Sequence, residues 1–383
     1  MLARTSEHFP GGQQPPTSSG PGRLYLRARS GHGHSVSRVW MGWAAVALAL
    51  AAAAWPGLAS GGSSAGKGVT TYPLTITNCG QKVTFTKPPS RVLIMNGSSV
   101  AEVESMIVLG LQKSIVANAQ SYGVSDIPGM VAAIKKIPTG GLTLNKNYDV
   151  PAEQTLAMRP DLVLSTWYGG FNAKSGFASR QELAQVGINS LVTPLQCALG
   201  NPSPTAAEQT AYDSASIDST YQYLTLLGEI FNRQAKAAEV IASLKSRIAA
   251  VEKRVAGKPR PHILIAFPDM AMMNSNGVPA VFAGGIYDSV VNAAGGVNTF
   301  KGASVKAMQQ LDKEALASAD VDVLVVGSFK PNENLKAEAD ALFREFPEWH
   351  ASKTRMWVGV HDGFYVGPAE AWAIAKIAKV AHP

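Results

Sequence analysis

The stretch EQTLAMRPDLVL, residues 153–164, encodes a short helix followed by an apolar strand. A related stretch, EALASADVDVLVV, occupies residues 314–326. In both stretches a glutamate, Glu153 or Glu314, stands eight residues before an aspartate that opens the strand. The recurrence of one helix–strand unit in each half of the chain indicates an internal duplication and predicts two similar α/β lobes.

From residue 70 onward, short apolar runs alternate with helical patterns, which is typical of α/β layers. Buried strands are predicted at Val92–Met95, Leu162–Leu164, Ser190–Val192, Ile263–Phe267, Val323–Val326 and Met356–Val358. Helices are predicted at Ser99–Leu109, Ala152–Met158, Ser179–Val186, Ile286–Ala294, Lys313–Ala317, Leu335–Phe346 and Pro368–Val380. The predicted fold class is α/β, with a central sheet in each lobe.

The longest helical pattern runs from Ile217 to Val255, with a break near Asn232. Its last part would be ~34 Å long, enough to run along both halves, and Gly257 ends it. Such a helix resists bending, so we expect little hinge motion. We therefore expect an N-terminal extension with signal and linker at 1–66, an N-terminal lobe at 70–216, a helical segment at 217–257 and a C-terminal lobe at 258–383.

The net charge of +7 is concentrated in the first part of the chain. Residues 1–66 hold five arginines and one acid, Glu7, which leaves a balance of only +3 for the rest. No stripe of basic residues with interleaved aromatics occurs. The sequence therefore argues against a nucleic-acid-binding protein.

A targeting segment is predicted near the N-terminus. Arg38 precedes an apolar run, Val39–Ala54, and small residues at 57–60 suit signal-peptidase cleavage. The protein is therefore expected to be exported, to the periplasm or the outer face of the cell membrane. An uncleaved anchor is the alternative, and Met41 is a second candidate start. Lipid attachment is disfavoured because Ser60 stands where a cysteine is needed.

The chain has two cysteines, Cys79 and Cys197. In an exported protein such a pair favours a disulfide over a metal site. Two unrelated buried thiols are the alternative.

Motifs for chemistry are missing from the sequence. It has no glycine-rich phosphate loop, no nucleophile elbow and no His-Glu-x-x-His zinc motif. Beyond residue 66 the histidines are scattered, at His262, His350, His361 and His382. We expect neither an enzyme nor a cofactor, and no metal bound directly by the chain.

Aromatic, methionine and polar side chains follow several predicted strands, at the strand ends where α/β folds bind their ligands. Aromatic residues and methionines give apolar contact, and polar groups fix orientation, which suits a bulky organic ligand. Packing in the core is the alternative for each aromatic and methionine. The candidate ligand-binding residues are Ser98, Tyr122, Trp167, Tyr168, Phe171, Met272, Met273, His361, Phe364 and Tyr365.

Four short motifs resemble the solute-binding proteins of ABC importers for ferric siderophores, haem and cobalamin. The resemblance covers roughly residues 73–380. Its motifs are KPPSRV at 87–92, RPDLV at 159–163, LGEIF at 227–231 and AGGVN at 294–298. Each motif is short, but their order and spacing together are specific.

The resemblance implies two lobes joined by a rigid helix, with the ligand in a cleft between them. It also implies that Glu153 and Glu314 contact arginines of the permease, one from each lobe. The alternative for each glutamate is a favourable place near a helix N-terminus. The implied partners are a ferric siderophore or related chelate, which carries its own metal, and an ABC importer permease. We expect a monomer.

Three functional alternatives remain open at the level of sequence. The first is binding of haem or cobalamin, with His361 or a tyrosine as an axial contact. The second is a sensory or interaction module that uses the same fold without transport. An α/β enzyme is the third, and it would need a catalytic constellation that the sequence does not provide.

Overall fold

The apolar runs predicted as strands form two parallel sheets, one in each half of the chain. The computed structural model describes residues 68–97, 99–120, 124–328 and 332–383. The predicted signal segment, Ser98 and Tyr122 lie outside the described residues.

Within these ranges the strands are β1 (Leu74–Asn78), β2 (Gln81–Phe85), β3 (Val92–Ile94), β4 (Ile115–Asn118), β5 (Leu162–Ser165), β6 (Asn189–Val192), β7 (His262–Phe267), β8 (Ala280–Val281), β9 (Val297–Asn298), β10 (Val323–Ser328) and β11 (Trp357–His361). The α-helices are α1 (Ala101–Val108), α2 (Met130–Ile134), α3 (Ala152–Ala157), α4 (Arg180–Gln185), α5 (Ala206–Asp213), α6 (Ile217–Ile230), α7 (Gln234–Val255), α8 (Gly285–Ala293), α9 (Val305–Gln309), α10 (Lys313–Ala317), α11 (Leu335–Glu345), α12 (His350–Thr354) and α13 (Glu370–Ala381).

The N-terminal lobe is built on a parallel sheet of order β4-β3-β5-β6. All three residues of β3 and all four of β5 are buried, as expected for parallel strands covered on both faces. A hairpin of β1 and β2, which the sequence did not predict, lies beside β6. The Asn78 side chain holds it there, because it exchanges hydrogen bonds of 2.8 and 2.9 Å with the backbone of Val192.

The predicted disulfide is confirmed. Cys79 occupies the turn between β1 and β2 and is bonded to Cys197, which lies in the loop after β6, with a Cα–Cα distance of 5.2 Å. The bond therefore ties the hairpin to a loop that reaches the space between the lobes.

The C-terminal lobe contains a parallel core of order β11-β10-β7. The other edge of β7 pairs with two short strands, parallel with β9 at its start and antiparallel with β8 at its end. The helix predicted at Lys313–Ala317 has the same bounds as the observed α10. The other predicted helices and strands differ from the observed ones by one to three residues at an end.

The duplicated unit has the same architecture in both lobes. Asp161 precedes β5 and accepts backbone hydrogen bonds from Ser90 (2.8 Å) and Arg91 (2.9 Å), just before the paired strand β3. Asp322 precedes β10 and accepts a hydrogen bond of 2.8 Å from the backbone N–H of His262, at the start of the paired strand β7. The repeated aspartate therefore fixes the starts of two neighbouring strands, and the two-lobed α/β fold is confirmed.

Two helices connect the lobes, with the predicted break between them. Asn232 has a positive φ of 54° and separates α6 from the long helix α7. A Cβ atom on Gly228 would come within 2.8 Å of the Ala237 Cβ, so glycine lets α6 and α7 approach closely. Helix α7 packs against α6, α8 and α13, and its buried residues belong to a core cluster shared by both sheets.

Candidate ligand cleft

The loops that follow the strands of both lobes face one cavity of about 450 Å³. The N-terminal lobe contributes Gly97 after β3, Thr166 after β5 and a loop at 196–199 after β6. From the other side the cavity is lined by residues 283–288 and 302–305 and by Phe364 and Tyr365. The cavity therefore lies between the lobes, at the carboxyl ends of the strands, where α/β proteins bind their ligands.

The N-terminal wall is held by a buried carboxylate. Glu102 is fully buried and accepts hydrogen bonds from Gln120 (2.6 Å), Thr166 (2.8 Å) and Thr193 (2.5 Å). Gly97 lies against Thr166 with a φ of 62°, and a Cβ atom there would be 2.1 Å from the Thr166 hydroxyl oxygen. The wall is therefore rigid and has no room for a side chain at position 97.

Aromatic rings form the C-terminal wall. Tyr287 stacks on Phe282 with ring centroids 4.9 Å apart and tilts against Phe364 at 5.6 Å. Phe267 meets Phe282 edge to face at 5.1 Å behind them. Such packing fixes the rings, so the wall offers preformed apolar surface to a ligand.

Tyrosines on this side keep their protons at neutral pH. Burial, followed by the neighbouring Tyr212 and Tyr365, raises the pKa of Tyr287 well above its usual value. Burial, with a further contribution from Asp213, also raises the pKa of Tyr212. Their hydroxyl groups are therefore neutral hydrogen-bonding groups and not phenolates.

Two carboxylates also line the cavity. Asp288 accepts backbone hydrogen bonds of 2.9 Å from both Gly284 and Gly302, and so ties two of the lining loops together. Asp213 is exposed at the end of α5, where the Gln209 side chain donates a hydrogen bond of 3.0 Å to it. The two carboxylates make this side of the cavity acidic.

Contacts of the C-terminal lobe around the end of β11 and on α13 join the two lobes. Asp362 accepts a hydrogen bond from the backbone of Val100, at the start of α1. In the opposite direction Asp126 of the N-terminal lobe accepts hydrogen bonds from the His361 backbone (3.1 Å) and the Lys376 ammonium (2.7 Å). These contacts fix the position of one lobe against the other.

Two of the predicted ligand-binding residues, Phe364 and Tyr365, line the cavity. His361 does not, because its Nδ1 atom is hydrogen-bonded to the Ser328 hydroxyl at 2.7 Å. Burial lowers the pKa of His361, so its ring is neutral at pH 7. Contact with a ligand stays a prediction for each of these residues.

The three predicted aromatics after β5 do not line the cavity. The Trp167 ring packs against the backbone of Gly169 and Gly200. Phe171 is buried in the core of the N-terminal lobe, and Tyr168 packs against the same core. A tight turn at 168–171 sends Phe171 back toward the sheet.

The two methionines lie elsewhere. Met272 is 74% exposed and Met273 is 38% exposed, and neither lines the cavity between the lobes. Met273 instead borders a small separate pocket with Met308.

Sequence reasoning missed Tyr212, Asp213 and Tyr287. Tyr212 and Asp213 belong to α5, which does not follow a strand of either sheet directly, and Tyr287 lies in the first turn of α8. The sequence carried one signal for this part of the cavity, the pair Gly284-Gly285, which stands directly before a predicted helix. A Cβ atom on Gly285 would be 3.4 Å from the Asp213 carbonyl oxygen and 3.5 Å from that of Tyr212, so the start of α8 lies beside the end of α5.

The predicted docking glutamates occupy equivalent places. Glu153 is the second residue of α3 and Glu314 the second residue of α10, and both are exposed. Because each helix precedes the duplicated strand, the two carboxylates are related by the internal repeat. Their contact with a permease stays a prediction.

Within the described ranges, no group of histidine, cysteine, aspartate and glutamate side chains is arranged to hold a metal ion. None of the helices described there is both long and apolar enough to span a membrane.

Solved structures with the same fold include several binding proteins. One, titled as the ABC-type Fe3+-hydroxamate transport system of Saccharomonospora viridis, is 24% identical, with a TM-score of 0.61, and the match covers 82% of this chain and 100% of that one. The haem-binding protein RhuT of Roseiflexus sp. RS-1 is 18% identical over 76% and 98% of the two chains, with a TM-score of 0.54. The haem-binding protein HutB of Vibrio cholerae is 15% identical over 76% and 99%, also with a TM-score of 0.54.

No curated protein matches the chain. The family model described as periplasmic binding protein matches residues 99–355, about two thirds of the sequence. The chain therefore belongs to the periplasmic binding protein family, whose members are binding proteins and not enzymes.

Proposed function

We propose that the protein captures a metal chelate outside the cytoplasm, in the first place a ferric siderophore, and delivers it to the permease of an ABC importer. The observation that carries this proposal is the cavity of about 450 Å³ between the lobes, with a preformed aromatic wall. Its volume falls in the range of small-molecule sites, and its rings suit a bulky organic ligand. The hydroxamate-system structure of the same fold supports the choice of ligand class.

Haem is the second candidate, because tyrosines line the cavity and two haem-binding proteins share the fold. A tyrosine would have to lose its proton to bind ferric iron strongly, and burial opposes that loss at Tyr212 and Tyr287. His361 is engaged with Ser328 outside the cavity lining. These features favour a chelate that brings a complete set of metal ligands.

Titration of tryptophan fluorescence tests the proposal. Trp167 packs beside the loop at 196–199 that lines the cavity, so a bound coloured chelate should quench its emission. The ligands are ferric siderophores of several types, their metal-free forms, hemin and cobalamin. We expect saturable quenching by a ferric siderophore. A Soret band on adding hemin, without binding of any siderophore, would establish the haem alternative instead.

Export and delivery are parts of the same proposal. The family supports a place outside the cytoplasm, and the apolar run at 39–54 is the proposed signal peptide. Delivery is proposed to use Glu153 and Glu314, one carboxylate on each lobe.

A further inference from the structure

The charge of the cavity narrows the class of chelate. We propose that the cleft selects chelates without net negative charge and favours those with a pendant cationic group, through Asp213. This inference rests on the proposed capture of a chelate and adds the sign of its charge.

The first argument is the charge of the lining. Asp213 and Asp288 both border the cavity, whereas the described lining residues include no lysine, arginine or histidine. The two carboxylates differ in their partners. Asp288 accepts two backbone hydrogen bonds, from Gly284 and Gly302, whereas Asp213 is exposed and receives one from the Gln209 side chain. Asp213 is therefore the carboxylate better placed to meet a charged group on a ligand.

The second argument is the aromatic wall. The face of an aromatic ring is electronegative and attracts cations. Tyr287, Phe364 and Tyr365 border the same cavity as Asp213. A cationic group of a ligand bound there meets the carboxylate within a largely aromatic lining, whereas an anionic group is repelled by the carboxylate. Asp213 also acts on this wall, since it contributes to the raised pKa of Tyr212.

A matched series of chelates tests the inference. The ferric complex of desferrioxamine B carries a pendant ammonium group and is cationic, its N-acetyl derivative is uncharged, and its N-succinyl derivative is anionic. All three present the same iron centre. We expect the cationic complex to bind roughly three- to tenfold tighter than the uncharged one, and the anionic one to bind weaker by a similar factor. Added salt should reduce the spread, that is, the differences in affinity among the three complexes.

Asp213→Asn should remove most of the difference between the affinities for the cationic and the anionic complex. Asp218→Asn is the control, because Asp218 is exposed on α6 and does not line the cavity. Lys330 follows β10 outside the described residues, so Lys330→Ala is measured in parallel. We expect it to leave the order of the three complexes unchanged.

Equal affinities for the three complexes, or tighter binding of the anionic one, would overturn the charge selection and leave capture of a siderophore standing. A spread that persists in Asp213→Asn would overturn the role of Asp213. Binding of hemin but of none of the three complexes would overturn both the charge selection and the siderophore proposal, as would binding of no chelate at all.

Discussion

The Asp362 carboxyl group, in the C-terminal lobe, accepts a hydrogen bond of 3.0 Å from the backbone N–H of Val100, which precedes α1 in the N-terminal lobe. Asp362 is buried and has a positive φ of 57°. Close by, a Cβ atom on Gly367 would be 2.7 Å from the Ala101 Cβ, so the backbones of the two lobes nearly touch. The floor between the lobes is therefore a fixed contact, consistent with a cleft that changes little in width.

The burial of Asp362 at this contact should make stability depend on pH. Burial, together with nearby Glu102 and Asp126, raises the pKa of Asp362 well above its usual value. The folded protein thus keeps a proton that the unfolded chain releases above about pH 4. The contribution of Asp362 to stability is complete below that pH. It falls by about 1.4 kcal/mol per pH unit as the pH rises toward the folded-state pKa.

Asp362→Asn should remove this loss of stability with rising pH. Asparagine tolerates positive φ and keeps an oxygen that accepts from Val100. In urea denaturation between pH 4 and 8, we expect the variant to gain stability relative to the wild type as the pH rises. Asp218→Asn, which removes one carboxylate at an exposed site, is measured in parallel as the control. A difference between Asp362→Asn and wild type that is the same at every pH would contradict the assignment.

Gly97→Ala should damage both stability and binding. Alanine at a φ of 62° is strained, and its Cβ would lie 2.1 Å from the Thr166 hydroxyl oxygen. We expect a loss of about 2–4 kcal/mol and a clear drop in chelate affinity. Gly187→Ala is the matched control, because its φ is 75° with no atom within 4 Å of the added Cβ. It should cost only about 1–2 kcal/mol and leave affinity unchanged. Equal effects of the two substitutions would argue against the close contact in the cleft.

The sequence predicted the lobes better than the cleft. Buried parallel strands are continuous apolar runs, so β5 and β10 can be predicted from the sequence alone. The hairpin β1–β2 is not, because its alternating exposed residues give a weaker signal over five residues. The lining of the cleft depends on which segments, distant in sequence, come together in the folded protein. Asp213 reaches it because the end of α5 lies beside Gly285 at the start of α8, a contact between segments distant in sequence that no local pattern encodes.

Phe171 shows the same limit from the opposite side. It follows a strand, where ligand contacts are expected, but the turn at 168–171 returns it to the core. Gly170 makes this turn feasible, since a Cβ there would lie 2.2 Å from the Ser165 hydroxyl oxygen. Position after a strand therefore predicts nearness to the cleft but not the direction of a side chain.

Tyr365→Ala should lower chelate affinity by about tenfold or more, because it removes an aromatic side chain from the cavity wall. The readout is the quenching titration with the ferric chelate that binds the wild type best. Tyr148→Ala is the control, since Tyr148 is 76% exposed and does not line the cavity. Unchanged affinity in Tyr365→Ala would place the ligand elsewhere.

Replacing both Cys79 and Cys197 by serine should destabilise the protein by about 2–5 kcal/mol, because the bond closes a long loop in the unfolded chain. Urea denaturation of the oxidised wild type and the double variant gives the difference. The wild type treated with a reductant should approach the stability of the variant. A variant as stable as the oxidised wild type would mean that the hairpin stays on the lobe without help from the disulfide.

The equivalent glutamates predict a separation of binding from delivery. Glu153 and Glu314 are exposed on α3 and α10, and neither lines the cavity. Glu153→Ala with Glu314→Ala should therefore leave chelate affinity unchanged but abolish uptake through the permease. Each single substitution should reduce uptake partially, because the carboxylate of the other lobe would still dock. The measurement is uptake of radioactive iron chelate by cells or by proteoliposomes that contain the importer.

The matched control is Glu239→Ala with Glu348→Ala, which removes two exposed glutamates outside the duplicated unit. It changes the net charge by the same amount, so a general electrostatic attraction to the membrane or the importer would be weakened equally. Loss of uptake only in the Glu153 and Glu314 pair would identify a specific docking contact. Loss of chelate affinity in that pair would instead overturn the docking role, because the two carboxylates would then act on the cleft.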